Sequence, residues 1–390
     1  MKQGNNINPN KIDSISSLYL HLPFCTKKCG YCDYYSIPTK AANFDEFYQG
    51  VKKELQVTLQ YLNDNNNKLS KLKTFYIGGG TPSALPPEII SKLIQLIKYE
   101  IGLDRGCEFT IEVNPEPHGH ETVLTAISLG ANRISLGYQA KQDHLLEKIG
   151  RLHSYKDFLE ILQIVKSKGL ENISCDLMFA LPDQTLAEVL ASAEQLISLE
   201  IPHISLYSLI LEEGSLFFHQ YANKPELLAS EDLEREMNAK LIDLLKKSGY
   251  HYYELSSASR PGYYSRHNYN YWTGKPYLGL GPAAHSYFNG IRKGNLASIK
   301  KWQAEPWNSS DFETIDFELA MREYAMLAFR LAEGFSAEKF KKRFGIAHPF
   351  SAELINLAQR DLITEIDSKK LYRLTPKGLD LANQVFMEFL

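Results

Sequence analysis

Nowhere in the 390 residues is there an apolar run long enough to cross a bilayer, which takes about 20 residues in a helix. Any membrane contact is therefore expected to be peripheral or made through a partner. The stretch from Met1 to Ser14 also lacks the apolar segment of a secretory signal; rich in Asn and Lys, it is expected to be a flexible tail. Charge of one sign is missing as well. With 43 Lys and Arg against 46 Asp and Glu, the net charge of -3 offers no general attraction to polyphosphate, so no nucleic-acid partner is expected. Cysteine is scarce, five in all, which argues against a disulfide framework and for a reducing, cytoplasmic location. There is no internal repeat, and Asn63-Asp-Asn-Asn-Asn67 is the one low-complexity stretch. The rest is ordinary globular composition, long enough for two or three domains.

Three of the five cysteines share one short stretch, Leu18 to Asp33, as Cys25, Cys29 and Cys32 in the spacing C-x3-C-x2-C. Three thiolates on a compact loop can hold three irons of a 4Fe-4S cluster and leave the fourth iron open. An open iron can chelate the amino and carboxylate groups of S-adenosylmethionine, and an electron from the cluster could then cleave the sulfonium to an adenosyl radical. A zinc site would want a fourth Cys or His nearby, and there is no second cysteine pair.

From residue 17 to about 210, short strand-like runs alternate with amphipathic helical runs, the pattern of repeated βα units around a parallel sheet. The predicted strands are Leu18 to Leu22, Leu72 to Ile77, Glu108 to Val113, Arg133 to Leu136, Ile173 to Met178 and His203 to Tyr207, the count of a partial (β/α)6 barrel. Between the first two, Phe44, Phe47, Tyr48, Val51, Leu55, Leu59 and Leu62 recur at helical spacing. Polar residues keep falling on one parity of the strands: Tyr19 and His21, Glu108, Thr110 and Glu112, Arg133 and Ser135, Ser174 and Asp176, Ser205 and Tyr207. Alternate strand residues face opposite sides, so the inner face is expected to be polar. A closed eight-stranded barrel fills its interior with apolar side chains; a polar one suggests an open barrel around a charged ligand. After the second strand, Gly78-Gly-Gly-Thr-Pro82 lets backbone approach a ligand at the rim. Glu112, Gln139, Arg151 and Asp176, each on or just after a strand, are candidates for further ligand contacts, a carboxylate for ribose hydroxyls and an Arg for a carboxylate.

The cysteine spacing after a strand, with Tyr31 before the last cysteine, resembles the radical S-adenosylmethionine superfamily. Further motifs are similar to one branch of it: Tyr19-Leu-His-Leu-Pro-Phe-Cys25, Gly78-Gly-Gly-Thr-Pro82, Arg133-Ile-Ser-Leu-Gly-Tyr-Gln139, Arg151-Leu-His-Ser154, Asp176-Leu-Met-Phe-Ala-Leu-Pro-Asp-Gln-Thr185 and His203-Ile-Ser-Leu-Tyr207. That branch holds the oxygen-independent coproporphyrinogen III dehydrogenases and the HemW-like heme chaperones. The resemblance implies that Cys25, Cys29 and Cys32 ligate the cluster. It also implies that Tyr19, Tyr31, Gly79, Gly80, Thr81, Glu112, Gln139, Arg151 and Asp176 complete the cluster and S-adenosylmethionine site. The dehydrogenases carry a further cysteine two residues after the last cluster ligand, where this chain has Tyr34, and a longer N-terminal extension. His267-Asn-Tyr-Asn-Tyr-Trp272 matches the HNxxYW motif of the chaperones and is followed by Gly279-Leu-Gly-Pro-Ala-Ala-His-Ser286. Imidazole is a common heme ligand and aromatics offer flat faces to a porphyrin, so His267 is the leading candidate to hold heme, with His285, Cys107 and Cys175 behind it. A turn-anchoring role for His267 stays open.

Beyond the barrel, Leu227 to Lys247 reads as a charged helix and Tyr252 to Asn295, dense in Tyr and Gly, as short strands and loops. Then Leu319 to Leu331, Ala337 to Arg343 and Ala352 to Arg360 read as helices, Leu362 to Ile366 and Leu371 to Leu374 as a hairpin, and Pro376 to Phe389 as a last helix, an order that looks like a winged helix. Lys339, Lys341, Lys342 and Arg343 read as a solvated helix face. The expected organisation is a tail over 1–16, an α/β partial barrel over 17–250 and a smaller α+β, winged-helix-like C-terminal domain over 251–390. The expected function is heme binding for delivery to heme-requiring, respiratory proteins, with coproporphyrinogen III oxidation by an adenosyl radical as the alternative. The oligomeric state stays open, a homodimer being one option.

Overall fold

Two reciprocal caps start two of the helices that cover the sheet. In Ser154-Tyr-Lys-Asp157 and Thr185-Leu-Ala-Glu188, the first hydroxyl accepts the N–H three residues on, and the carboxylate accepts the first residue's N–H. Donors that the helix itself cannot satisfy are thereby paired, and the helices Tyr155–Ser167 and Leu186–Ser198 follow. Asn43 caps the helix Phe44–Asp64, whose Phe47, Val51, Leu55 and Leu62 are buried in the register read from the sequence.

The computed structural model describes residues 14–307, 309–366 and 370–390, and the tail expected over residues 1–16 lies, as far as residue 13, outside the described residues. The chain lays down β1 (Ile15–Leu22), a short ladder of β2 (Phe24–Cys25) with β3 (Ile37–Pro38), then β4 (Leu69–Gly79), β5 (Leu103–Val113), β6 (Arg133–Gln139), β7 (Ile173–Phe179) and β8 (His203–Ser208). Strands β1 and β4 to β8 are parallel neighbours in chain order, each containing the run expected from sequence. Leu18, Leu20, Phe75, Ile77, Phe109, Ile111, Ile134 and Leu136 join the main apolar core. The other parity lines up inside: Tyr19 beside Tyr76, Glu112 beside Ser135, Asp176 beside Ser205.

The sheet extends beyond the six expected strands. β9 (His251–Glu254) and β10 (Ser257–Ser259) add antiparallel next to β8, and β11 (Leu278–Leu280) adds parallel next to β1, giving nine strands in the order β11-β1-β4-β5-β6-β7-β8-β10-β9. Segments after residue 250 thus complete both edges of the barrel sheet, where bare strands would expose unpaired N–H and C=O groups. Between β10 and β11 lies a helix, Arg266–Trp272, where the sequence suggested only strands and loops.

An antiparallel sheet of β12 (His285–Phe288), β13 (Ile291–Asn295) and β14 (Ser309–Thr314) follows. The remaining chain builds helices Phe317–Arg330, Ala337–Phe344 and Ser351–Gln359 around β15 (Phe335–Ser336), β16 (Ile363–Ile366) and β17 (Leu371–Leu374). It has its own core, including Phe335, Phe340, Leu357, Val385 and Phe389, in the winged-helix-like order expected. Two helices differ from expectation. The charged helix begins at Glu231, where Ser230 caps it, with Pro225–Leu227 forming a separate 3-10 turn. The last helix is broken at Leu381 into Pro376–Asp380 and Ala382–Met387, with Val385 and Phe389 in the core. No helix among the described residues is long and apolar enough to cross a membrane.

Candidate functional site

The cysteine loop leaves the C-terminal end of β1 and is tied down at several points. Gly80 N–H donates to Leu22 O at 2.8 Å and Thr81 N–H to Phe24 O at 2.7 Å, joining the glycine turn after β4 to the loop's first residues. Gly30 N–H donates to Ile149 O, and Gly30 O accepts from Phe217 N–H. Gly80 has to be glycine: a Cβ there would lie 2.6 Å from the Phe24 carbonyl oxygen. Gly79 adopts φ +110, and a Cβ on it would meet the His21 ring at 2.5 Å.

Cys25, Cys29 and Cys32 are all free, partly exposed thiols lining a cavity of about 320 Å³. Burial pushes the Cys25 thiol up and the Cys32 thiol to about 11. Among the described residues, no three His, Cys, Asp or Glu side chains converge as tightly as a single metal ion needs. A 4Fe-4S cluster takes one thiolate at each of three separate irons, and sulfurs spread around a cavity suit that ligand.

The same cavity gathers Tyr31, Gly79, Gly80, Thr81, Glu112, Gln139, Arg151 and Asp176. A chain of hydrogen bonds runs along its wall. Arg151 donates through Nη2 to the Tyr31 hydroxyl at 2.7 Å and through Nη1 to Asn114 Oδ1 at 2.6 Å. Asn114 Nδ2 donates to Thr81 Oγ1 at 3.0 Å, and Thr81 Oγ1 lies 3.6 Å from Cys25 Sγ. Glu112 accepts from the Tyr76 hydroxyl at 2.8 Å and from Gly79 N–H at 3.1 Å. Burial pushes the Glu112 carboxyl up to about 7, opposed by its bond to Tyr76. Asp176 is pushed by burial up to about 6, opposed by Arg151 and Arg133. Gln139 ends β6 at φ +62, an unusual conformation for a non-glycine residue; such outliers cluster at ligand sites. A polar, mixed-charge cavity beside three thiols fits a zwitterionic sulfonium nucleotide bearing hydroxyls, an amino group and a carboxylate.

A second cavity, of about 590 Å³, adjoins the first and shares Tyr34, Gly79, Glu112 and Tyr207 with it. Its walls are aromatic, with Tyr19, Tyr76, Tyr271, Trp272 and Tyr277 among them, and cations Lys275, Arg292 and Arg343 lie at its lining, Arg292 paired with Glu323. His267 is buried, its Nδ1 2.9 Å from Thr74 Oγ1, its Nε2 2.7 Å from the Tyr271 hydroxyl, and its ring tilted on Tyr76 at 5.1 Å. Burial lowers its pKa to about 3. Its backbone is held too: the Glu108 carboxylate accepts the N–H groups of Arg266 and His267, both at 2.9 Å.

Eleven of the residues singled out from sequence therefore line one cavity, while Tyr19 and His267 line its neighbour. Cys107 and Cys175, offered as weaker heme candidates, are buried in the main core and line neither cavity. Sequence reasoning passed over Asn114, two residues after Glu112, and Tyr76, which holds Glu112. Their signal was place alone: Tyr76 shares the polar parity of β4, and Asn114 follows the end of β5.

Comparison with known proteins agrees with this geometry. Residues 19–196 match the radical SAM superfamily. The chain is 33% identical over 379 residues to the heme chaperone HemW of Lactococcus lactis, covering 96% of this chain and 97% of that protein. It is 33% identical over 383 residues to the heme chaperone HemW of Bacillus subtilis, covering 96% and 99%. Among solved structures, the coproporphyrinogen III oxidase HemN of Escherichia coli, a radical SAM enzyme, superposes with a TM-score of 0.82 at 20% identity, covering 97% of this chain and 90% of that one. That likeness is one of fold.

Proposed function

Since the chain belongs to the HemW family of heme chaperones within the radical SAM superfamily, we propose that it binds heme in the aromatic cavity and passes it to heme-requiring proteins, respiratory ones among them. The observation that carries this reading is the cavity itself. The residues of the His267 to Trp272 motif form one wall, and its lining of flat rings with three cations suits a planar apolar macrocycle bearing carboxylates. Pockets that take ligands of this size commonly measure about 300–1,000 Å³.

In this reading Cys25, Cys29 and Cys32 hold a 4Fe-4S cluster, and Tyr31, Gly79, Gly80, Thr81, Glu112, Gln139, Arg151 and Asp176 hold S-adenosylmethionine against it. When bound, such a cluster supplies one-electron reduction. The chain's own part is to place the nucleotide: Arg151 offers a guanidinium to a carboxylate, Glu112 and Asp176 offer acceptors to hydroxyls or an amino group, and the glycine turn offers backbone. Porphyrin turnover is not required. Tyr34, 64% exposed, stands where the related dehydrogenases have a further cysteine, which favours the chaperone over the enzyme. The reading places the protein in the cytoplasm.

The test is a heme titration of cluster-reconstituted protein followed by absorbance, then mixing with a heme-free acceptor. Stoichiometric retention followed by transfer is expected. No retention would sink the reading, and vinyl product from coproporphyrinogen III under anaerobic assay would replace it with the enzyme.

A further inference from the structure

An axial ligand to heme iron needs a lone pair that no neighbour already holds, and that requirement sorts the groups lining the aromatic cavity. His267 fails it: the residue is 1% exposed and both ring nitrogens are engaged, by Thr74 and Tyr271. His21 fails it too, 3% exposed with Nδ1 3.0 Å from the Tyr19 hydroxyl and Nε2 3.2 Å from Tyr35 O. Either ring could reach an iron only by abandoning a bond and orphaning a buried polar group. The phenols of Tyr19, Tyr76 and Tyr271 are pushed well above their ordinary pKa by burial, which keeps them protonated. Neither cysteine nor methionine lines this cavity among the described residues.

His285 meets the requirement. Its side chain is exposed, it lines the cavity, and no hydrogen bond among the described residues occupies its ring. Its backbone is nonetheless fixed. β12 pairs it with Gly294 of β13, and Gly279 N–H donates to the Ser286 hydroxyl at 2.8 Å. A Cβ at Gly279 would lie 2.1 Å from His285 O, so β11 is pressed directly against this residue. The strand fixes where the side chain starts, and both ring nitrogens stay open, so the ring can turn to an iron without breaking a bond already made.

We propose that His285 is the axial ligand to the heme iron, and that His267 is a positioning residue that locks Tyr271 and its helix into the cavity wall. The proposal rests on the heme reading above. It is tested on the full chain with its cluster rebuilt, by titrating hemin into wild type, His285→Ala and His267→Ala and recording the Soret band and the iron spin state. His285→Ala is expected to lose the histidine-ligated signature and about tenfold or more in affinity, with free imidazole restoring the band. An unchanged spectrum and affinity in His285→Ala overturns the assignment, as does loss of the signature in His267→Ala alone. A loss in His285→Ala that imidazole does not repair also counts against direct ligation. Failure of wild type to retain heme is a separate result, and it removes the reading on which the assignment stands.

Discussion

Glu112 accepts a phenol and a backbone N–H deep in the cysteine cavity, and burial raises its carboxyl to about 7. A carboxyl with a folded pKa above its unfolded value binds more protons in the native state. Stability is then fully present below the unfolded pKa and is lost as pH rises towards the folded one. Asp176, raised to about 6, acts in the same direction. Thermal melts of ligand-free protein should therefore show Glu112→Gln gaining on wild type between pH 5 and pH 8, while its retention of S-adenosylmethionine falls. Equal melting curves across that range would contradict the assignment. Gly80→Ala is expected to cost about 1–3 kcal/mol from overpacking, because the added carbon meets the Phe24 carbonyl. Denaturant melts read that cost, and iron bound per chain after reconstitution should fall with it. The cysteines, glycines and rim residues were legible because motif spacing and strand parity mark them. Asn114 was not, since a lone Asn after a strand has no period to betray it.

The helix Arg266–Trp272 shows what parity and composition cannot reveal. Asn, Tyr, His and Trp are indifferent helix formers, so the motif reads as loop. The helix exists because Ser265 caps it and because Glu108, from β5 of the barrel, accepts its first two N–H groups. A carboxylate at a helix N-terminus is favoured by both the free donors and the helix dipole. Glu108→Ala removes both acceptors from a buried junction and is expected to cost about 1–3 kcal/mol. Because Tyr271 and Trp272 ride on the same helix, heme affinity in the titration should weaken with it. Glu108→Gln, which keeps one acceptor oxygen, should fall between the two. The barrel strands, by contrast, were readable to within a few residues at each end, because one face must be apolar against the helices and the other polar around the cavity.

Across the whole molecule, the aromatic cavity depends on how the segments after residue 250 sit on the barrel, whereas the cysteine cavity is lined by barrel residues alone; one buried carboxylate does much of the holding. Glu54, 1% exposed in the helix Phe44–Asp64, accepts Gly281 N–H at 2.7 Å, Asn295 Nδ2 at 2.5 Å and Trp302 Nε1 at 3.0 Å. Lys293, also buried, donates to Asn295 Oδ1 at 2.7 Å. Burial pushes the Glu54 carboxyl up, while three N–H donors and the Lys293 charge work the other way. In the sequence Glu54 is simply a charged residue in an amphipathic helix, more than 220 residues away from its partners. Pairing across that distance leaves no local trace. Removing one member of a buried charge cluster strands the other, which costs about 3–5 kcal/mol. Glu54→Leu should therefore lower the denaturation midpoint by that amount. It should also loosen β11 to β13, the segment that carries His285, so that limited proteolysis cuts near residues 281–295 and heme retention drops while iron incorporation at the cysteine loop persists. A variant that loses iron and heme together would mean that the barrel itself depends on this clamp.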